Sequence, residues 1–151
     1  MLIGLALHIS AAIIWIGGLF FAYLILQPSV RPLEASIRMP FWSQVLSRFF
    51  LWGWISSAVL LVSGFAMLFV GFGGLEAVPI QVRAMMALGI ITAAAYAYLY
   101  VAPWRQFRRA VAITDWTVAE RCIGRVRLLA TVTLALGLVT AIIGASGRYY
   151  G

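Results

Sequence analysis

The sequence contains no lysine, a single histidine, a single cysteine and only four acidic residues among its 151 positions. Charged residues make up 10% of the chain, whereas soluble domains have about 25%. This scarcity of charge excludes an ordinary water-soluble globular domain. The single cysteine, Cys122, cannot form an internal disulfide, so the sequence gives no indication of the redox compartment.

The few polar residues do not form the usual catalytic arrangements. The sequence has no paired carboxylates, no glycine-rich phosphate-binding loop and no motif with several histidines. All four acids fall in connections between apolar runs: Glu34, Glu76, Asp115 and Glu120. An ion-driven transporter usually needs an acid inside the membrane, so that function is disfavoured. Enzymatic activity stays open.

Long apolar runs make up most of the chain. Hydrophobic residues account for 64% of the sequence, and the mean hydropathy is +1.03. About 20 apolar residues in a helix cross a bilayer core, and four segments are long enough: 2–26, 49–70, 80–102 and 123–145. We therefore predict an all-α membrane protein, one domain over 1–151 folded as a bundle of four transmembrane helices. Pro28 and Pro103 are predicted to end the first and third spans, and Gly71, Gly73 and Gly74 to form a turn.

The distribution of arginine predicts the orientation of the four spans. Nine arginines lie in the connections after the first and third spans, and only Arg83 and Arg148 lie on the other side. By the positive-inside rule, both basic connections are cytoplasmic and both termini are outside. Five tryptophans near the cytoplasmic boundary are expected to form an interfacial belt: Trp42, Trp52, Trp54, Trp104 and Trp116.

The second basic connection, residues 104–121, mixes apolar and charged side chains. It is predicted to be either an amphipathic helix on the cytoplasmic leaflet or a solvated connector. Asp115 is predicted to cap a short helix that begins at Trp116. Glu120 is predicted to pair with Arg121 or Arg125.

The lipid bilayer is the main partner that the sequence predicts. Arginines placed between apolar runs do not form a soluble basic face, so no nucleic-acid partner is expected. Small residues recur every four positions in the third and fourth spans: Gly89, Ala93 and Ala97, then Gly137, Ala141 and Ala145. Such stripes allow close helix packing. We expect them to join the four helices, with a homo-oligomer or another membrane protein as the alternative.

Ionisable residues inside a span are costly, and they therefore indicate function. His8 lies two turns into the first span. The predicted topology brings His8, Arg83 and Arg148 to the outer leaflet, where three methionines reach a similar depth: Met67, Met85 and Met86. We take this group as the candidate site.

Two occupants fit these residue types. For haem b, His8 would ligate the iron, Arg83 or Arg148 would pair with the propionates, and Trp15 and Gly18 would accommodate the macrocycle. For copper, His8 would combine with soft thioether ligands from Met67, Met85 or Met86. The alternative is a structural His8 that binds a neighbouring carbonyl, with methionines that only fill the core.

The first span also carries a family resemblance. Residues 6–26, ALHISAAIIWIGGLFFAYLIL, resemble the opening helix of the copper-resistance protein D (CopD) family through the pattern His8–Trp15–Gly17–Gly18. The similarity continues through RFFLWGW (48–54) and VRAMMALGI (82–90) and into the last helix. This resemblance implies a four-helix protein of the bacterial inner membrane with a role in copper homeostasis or uptake. The termini, which the arginine distribution places outside, would then be periplasmic.

The same pattern is similar to HemJ-type protoporphyrinogen oxidases, which are small haem-associated membrane enzymes. That resemblance implies an oxidase acting on a porphyrinogen or a quinone-linked substrate, with His8 at the haem and Arg83 at the family's basic position. The chain departs from this family because it has no lysine, and Gln81 stands where a second histidine is expected. A third hypothesis is an accessory subunit of a larger membrane complex.

Overall fold

The computed structural model describes residues 2–74, 76 and 78–146, and every regular element in this part of the chain is a helix. There are four long helices: α1 (Leu2–Val30), α2 (Ala35–Gly71), α3 (Ile80–Ala112) and α4 (Trp116–Ser146). Each is long and apolar enough to cross a membrane, which confirms the four predicted spans. Helix α1 packs along α2, α3 packs along α4, and α1 also contacts α4 to join the two hairpins.

All four helices continue beyond the predicted spans at the same end of the bundle. Helix α2, with 37 residues, is about 55 Å long, whereas the bilayer core is about 30 Å thick. The predicted long basic connections are therefore mostly helical, and only 31–34 and 113–115 form turns. Hydropathy could not show this, because a polar extension of a helix lacks an apolar signal. We call this end of the bundle the basic end and the opposite one the His8 end.

The two prolines predicted to end the first and third spans lie inside continuous helices, so that prediction is wrong. Pro28 follows a π-helical turn at Phe21–Leu26, and Pro103 lies within another at Tyr100–Trp104. Proline lacks an N–H and clashes with the carbonyl four residues earlier in an α-helix. In the π-helical turn before Pro28, backbone hydrogen bonds span five residues instead of four. The N–H of Gln27, for example, donates to the carbonyl of Ala22.

The turn between α2 and α3 follows its glycines, as predicted. Gly73 has φ of 80° and Gly74 has φ of 122°. Both values lie in the region that favours glycine, because a Cβ would be strained there. Gly71 instead ends a π-helical turn, Met67–Gly71, inside α2.

Asp115 caps α4, as predicted. Its Oδ1 accepts a hydrogen bond of 3.0 Å from the backbone N–H of Val118, which satisfies one of the free donors at the helix start. The predicted pairing of Glu120 with Arg121 or Arg125 is wrong, because Glu120 pairs with Arg38 of α2. Side chains one or five positions apart do not face each other on a helix.

An aromatic core fills the bundle towards the basic end. Four of its side chains are fully buried: Phe50, Tyr96, Trp104 and Phe107. Residues Arg105–Ala112 form a helix with one apolar and one charged face, which confirms the amphipathic alternative predicted for this connection. This helix continues α3 and packs against α4, and its place on the leaflet stays a prediction. Of the predicted belt, Trp52 and Trp54 are exposed, whereas Trp42 and Trp104 belong to the core.

The sides of the bundle that face away from its core are apolar. Large side chains such as Val62, Leu128 and Ile142 are about two-thirds exposed or more, at 70%, 67% and 65%. A soluble protein rarely presents such a continuous apolar surface, whereas lipid covers it without cost. Only part of the small-residue stripes is used inside the described part of the chain. Gly137 lies against Ile16, but no described residue lies within 4 Å of a Cβ built on Gly89.

Candidate functional site

His8 is held by a short chain of hydrogen bonds between α1 and α2. Its Nδ1 lies 2.8 Å from the hydroxyl oxygen of Ser63. The Ser63 hydroxyl in turn donates to the carbonyl of Val59, one turn earlier in α2, at 2.5 Å. The imidazole is thus anchored to the neighbouring helix through the Ser63 side chain, and the backbone carbonyl of Leu60 is also a hydrogen-bond partner of the ring.

One tautomer of His8 satisfies both of these hydrogen bonds. A hydroxyl has one proton, which Ser63 can donate to the carbonyl of Val59. In the tautomer that carries its proton on Nδ1, the Ser63 oxygen accepts that proton. In a neutral imidazole the other nitrogen, Nε2, is left with a free lone pair. A histidine oriented in this way by a bond at one nitrogen is prepared to ligate a metal through the other.

Glycines let α1 and α2 approach closely around His8. A Cβ built on Gly64 would lie 3.3 Å from Cε1 of His8, and one built on Gly4 would lie 3.7 Å from Cγ of Met67. Gly4 is one turn before His8, and Met67 is one turn after Ser63. Met67 is therefore the predicted methionine ligand that the structure places in the same helix pair as His8, about one turn away along it. It also begins the π-helical turn Met67–Gly71, a distortion that is frequent at functional sites.

The other predicted methionines lie on α3. Met85 packs towards α4, where a Cβ built on Gly144 would lie 3.0 Å from its sulfur. Met86 is half-buried on the same helix. Met85 thus contacts the second hairpin, whereas His8 and Met67 belong to the first.

The predicted basic residues do not approach His8 in the described part of the chain. Arg83 is exposed, and its guanidinium donates to the backbone carbonyl of Glu76 at 3.3 Å. It holds the turn before α3. Arg148 lies outside the described residues, so its predicted role stays a prediction.

Trp15 is buried on the same face of α1 as His8, two turns further into the bundle. Its ring meets that of Tyr96 edge-on, with 5.2 Å between the centroids. Beside it, the space next to Gly18 is occupied by Phe49, whose Cε2 would lie 3.0 Å from a Cβ on Gly18. Gly18 therefore makes room for an aromatic side chain of α2 at the place where a macrocycle was expected.

The residues described by the structure contain no group of three or more His, Cys, Asp or Glu side chains placed to hold a metal. A metal at His8 would therefore depend on sulfur or solvent for further ligands. Ser63 and Gly64 were not among the predicted site residues. In the sequence they are visible as a polar residue next to a glycine within an apolar span. In the structure both accommodate His8.

The comparison with protein families gives a match over most of the chain. The model of the family CopD, copper resistance protein D, matches residues 43–146, which is more than half of the chain. The matched part includes Ser63, Gly64 and Met67 but begins after α1, so His8 lies outside it. No curated protein and no solved structure matches the chain.

Proposed function

The chain belongs to the copper resistance protein D family, and we propose that it handles copper by binding Cu(I) at His8. The observation that supports this proposal is the hydrogen bond between Nδ1 of His8 and Ser63, 2.8 Å long. In the tautomer that carries its proton on Nδ1, this bond holds the ring between α1 and α2, and Nε2 is the nitrogen that would ligate copper.

Met67 supplies the second ligand in this proposal. A thioether is a soft ligand that selects Cu(I) over harder cations, which prefer oxygen. Met67 packs on Gly4 in the same helix pair that holds His8. Because so few ligands are present, copper is the cargo of the protein rather than a permanent part of its structure.

The orientation of the chain in the membrane determines which compartment the His8 site faces. We propose that the protein lies in the bacterial inner membrane with the basic end in the cytoplasm, because nine of the eleven arginines belong to it. The His8 end then faces the periplasm, as do both termini. Copper would reach His8 from the periplasmic side, which suits a role in copper uptake or homeostasis.

Haem is the less favoured occupant. The ring of Phe49 fills the space beside Gly18, and Trp15 packs against Tyr96. Trp15 and Gly18 were the residues expected to accommodate a macrocycle. Without that space, the haem-dependent oxidase hypothesis loses the geometry on which it depended.

The test is an anaerobic Cu(I) titration of the detergent-purified protein against a chromogenic chelator. Wild type is compared with His8→Ala and with Ser10→Ala, an exposed position on the same helix. His8→Ala should weaken Cu(I) binding by more than the ~10–100-fold typical of losing a group that only orients a ligand. Ser10→Ala should bind as wild type does.

An absorption spectrum of the same samples separates the two cofactors. A Soret band that is present in wild type and absent in His8→Ala would show that His8 ligates haem rather than copper. Equal Cu(I) affinity in wild type and His8→Ala, without a Soret band, would overturn the site altogether.

A further inference from the structure

A second site lies at the basic end of the bundle, far along the helices from His8. A cavity of about 330 Å³ opens there between α1, α2 and α4. Three arginines line it, one from each helix or its adjoining turn: Arg31, Arg38 and Arg127. Glu120 is the only acid in the lining. The lining therefore carries an excess of positive charge.

Arg38 neutralises the single acid and is fixed in place. Its guanidinium donates to the carbonyls of Arg31 and Leu33, at 2.9 and 2.8 Å, and pairs with Glu120. These bonds occupy both terminal nitrogens of Arg38. Glu120 is consequently not available to balance the remaining cations of the cavity.

Arg31 and Arg127 therefore face the cavity without an acidic partner among residues 2–74, 76 and 78–146. Arg127 is held from one side by Gln27, whose side-chain oxygen lies 3.0 Å from it in the amide orientation that satisfies both groups. The ends of α1 and α4 thus present two guanidinium groups to one cavity. A guanidinium pairs with an oxyanion through two parallel hydrogen bonds, and this geometry suits phosphate.

The walls of the cavity indicate the size and kind of ligand. Trp42 and Met39 are buried and form an apolar side, while Gly124 leaves open space where another residue would project a side chain. A volume of about 330 Å³ is near the lower limit for small-molecule sites. We propose that this cavity binds a phosphate group, carried either by an acidic phospholipid or by a small soluble phosphate compound.

Topology alone does not account for this arrangement. The positive-inside rule requires arginines near the membrane end, but it does not require them to line a common cavity. Arg121 and Arg125 are exposed on the same helix as Arg127 and do not line it. They provide a control in which the same charge is removed outside the site.

The test compares Arg31→Gln/Arg127→Gln with Arg121→Gln/Arg125→Gln, each purified and delipidated in a neutral detergent. Native mass spectrometry measures binding of phosphatidylglycerol against phosphatidylcholine, and a parallel titration uses inorganic phosphate. Charge-assisted hydrogen bonds support a loss of at least roughly tenfold in affinity for the cavity variant. The control variant should stay close to wild type. Preference for phosphatidylglycerol identifies a lipid site, and binding of inorganic phosphate identifies a soluble ligand.

A third variant tests the cavity without changing charge. Gly124→Leu fills the open space at Gly124, and leucine favours the helix more than glycine does, so folding should be preserved. It should weaken binding to the same extent as the double arginine variant. Equal losses in both arginine pairs would mean general electrostatic attraction and would overturn the proposal. Wild-type affinity in Gly124→Leu, or no binding of either phosphate by wild type, would also overturn it.

Discussion

The hydroxyl of Tyr96 donates a hydrogen bond of 3.1 Å to the carbonyl of Phe50, and Gly53 of α2 makes room for it. A Cβ on Gly53 would overlap the hydroxyl and the ring of Tyr96. The close contact of Tyr96 with the backbone of α2 thus depends on Gly53.

Gly53→Ala should therefore destabilise the bundle, because Tyr96 must move and its bond to Phe50 is lost. Overpacking of this kind costs about 1–3 kcal/mol. Thermal unfolding in detergent, followed by circular dichroism, should give a lower midpoint than wild type. Gly89→Ala is the matched control, because nothing lies within 4 Å of its Cβ and alanine is favoured over glycine in a helix by up to about 1 kcal/mol. A midpoint for Gly53→Ala at or above that of Gly89→Ala would contradict the packing described here.

Ser63→Ala should lower Cu(I) affinity without removing a ligand. The hydroxyl orients His8 through Nδ1, and loss of such an orienting group costs about 10–100-fold in metal affinity. Ser57→Ala is the control, since Ser57 is also buried on α2 but lies almost two turns from Ser63. The measurement is the same chelator competition. Equal affinities in the two serine variants would show that Ser63 does not prepare His8 for a metal.

The sequence predicted the number of spans because long apolar runs are a direct consequence of crossing lipid. It predicted the polar ends of the helices only in part, since residues 104–121 fitted both an amphipathic helix and a solvated connector, and the structure shows Arg105–Ala112 as a helix. The position of Pro28 inside α1 was not predicted either, because the π-helical turn that precedes it has no clear sequence signal.

Only part of the candidate site was predicted, because the neighbours of His8 depend on how the helices pack. An isolated histidine in an apolar span is visible in the sequence, but its neighbour depends on the register between α1 and α2. That register follows from close approaches such as His8 against Gly64. A shift by one turn would bring His8 away from Ser63.

The methionines provide a test of the ligand set that the sequence could not resolve. Met67 lies in the α1–α2 pair with His8, whereas Met85 packs towards Gly144 of α4. Leucine and methionine have similar volumes, and this exchange usually costs less than about 1.5 kcal/mol in stability. Met67→Leu should therefore fold normally and lose Cu(I) affinity, while Met85→Leu should keep it. The reverse order in a Cu(I) titration would assign the thioether ligand to the second hairpin.

Orientation is tested by cysteine labelling at the two ends of the bundle. Cys122 is buried, and Cys122→Ala provides a background without native thiols. Glu76→Cys lies in the turn between α2 and α3, and Ile113→Cys lies in the exposed turn between α3 and α4. In spheroplasts, a membrane-impermeant maleimide should label Glu76→Cys, whereas Ile113→Cys should react only after the membrane is opened. Labelling in the opposite order would place His8 at the cytoplasmic side and the arginine-lined cavity outside. Because a phosphate compound of the cytoplasm could not then reach that cavity, this one experiment decides which compartment each site serves.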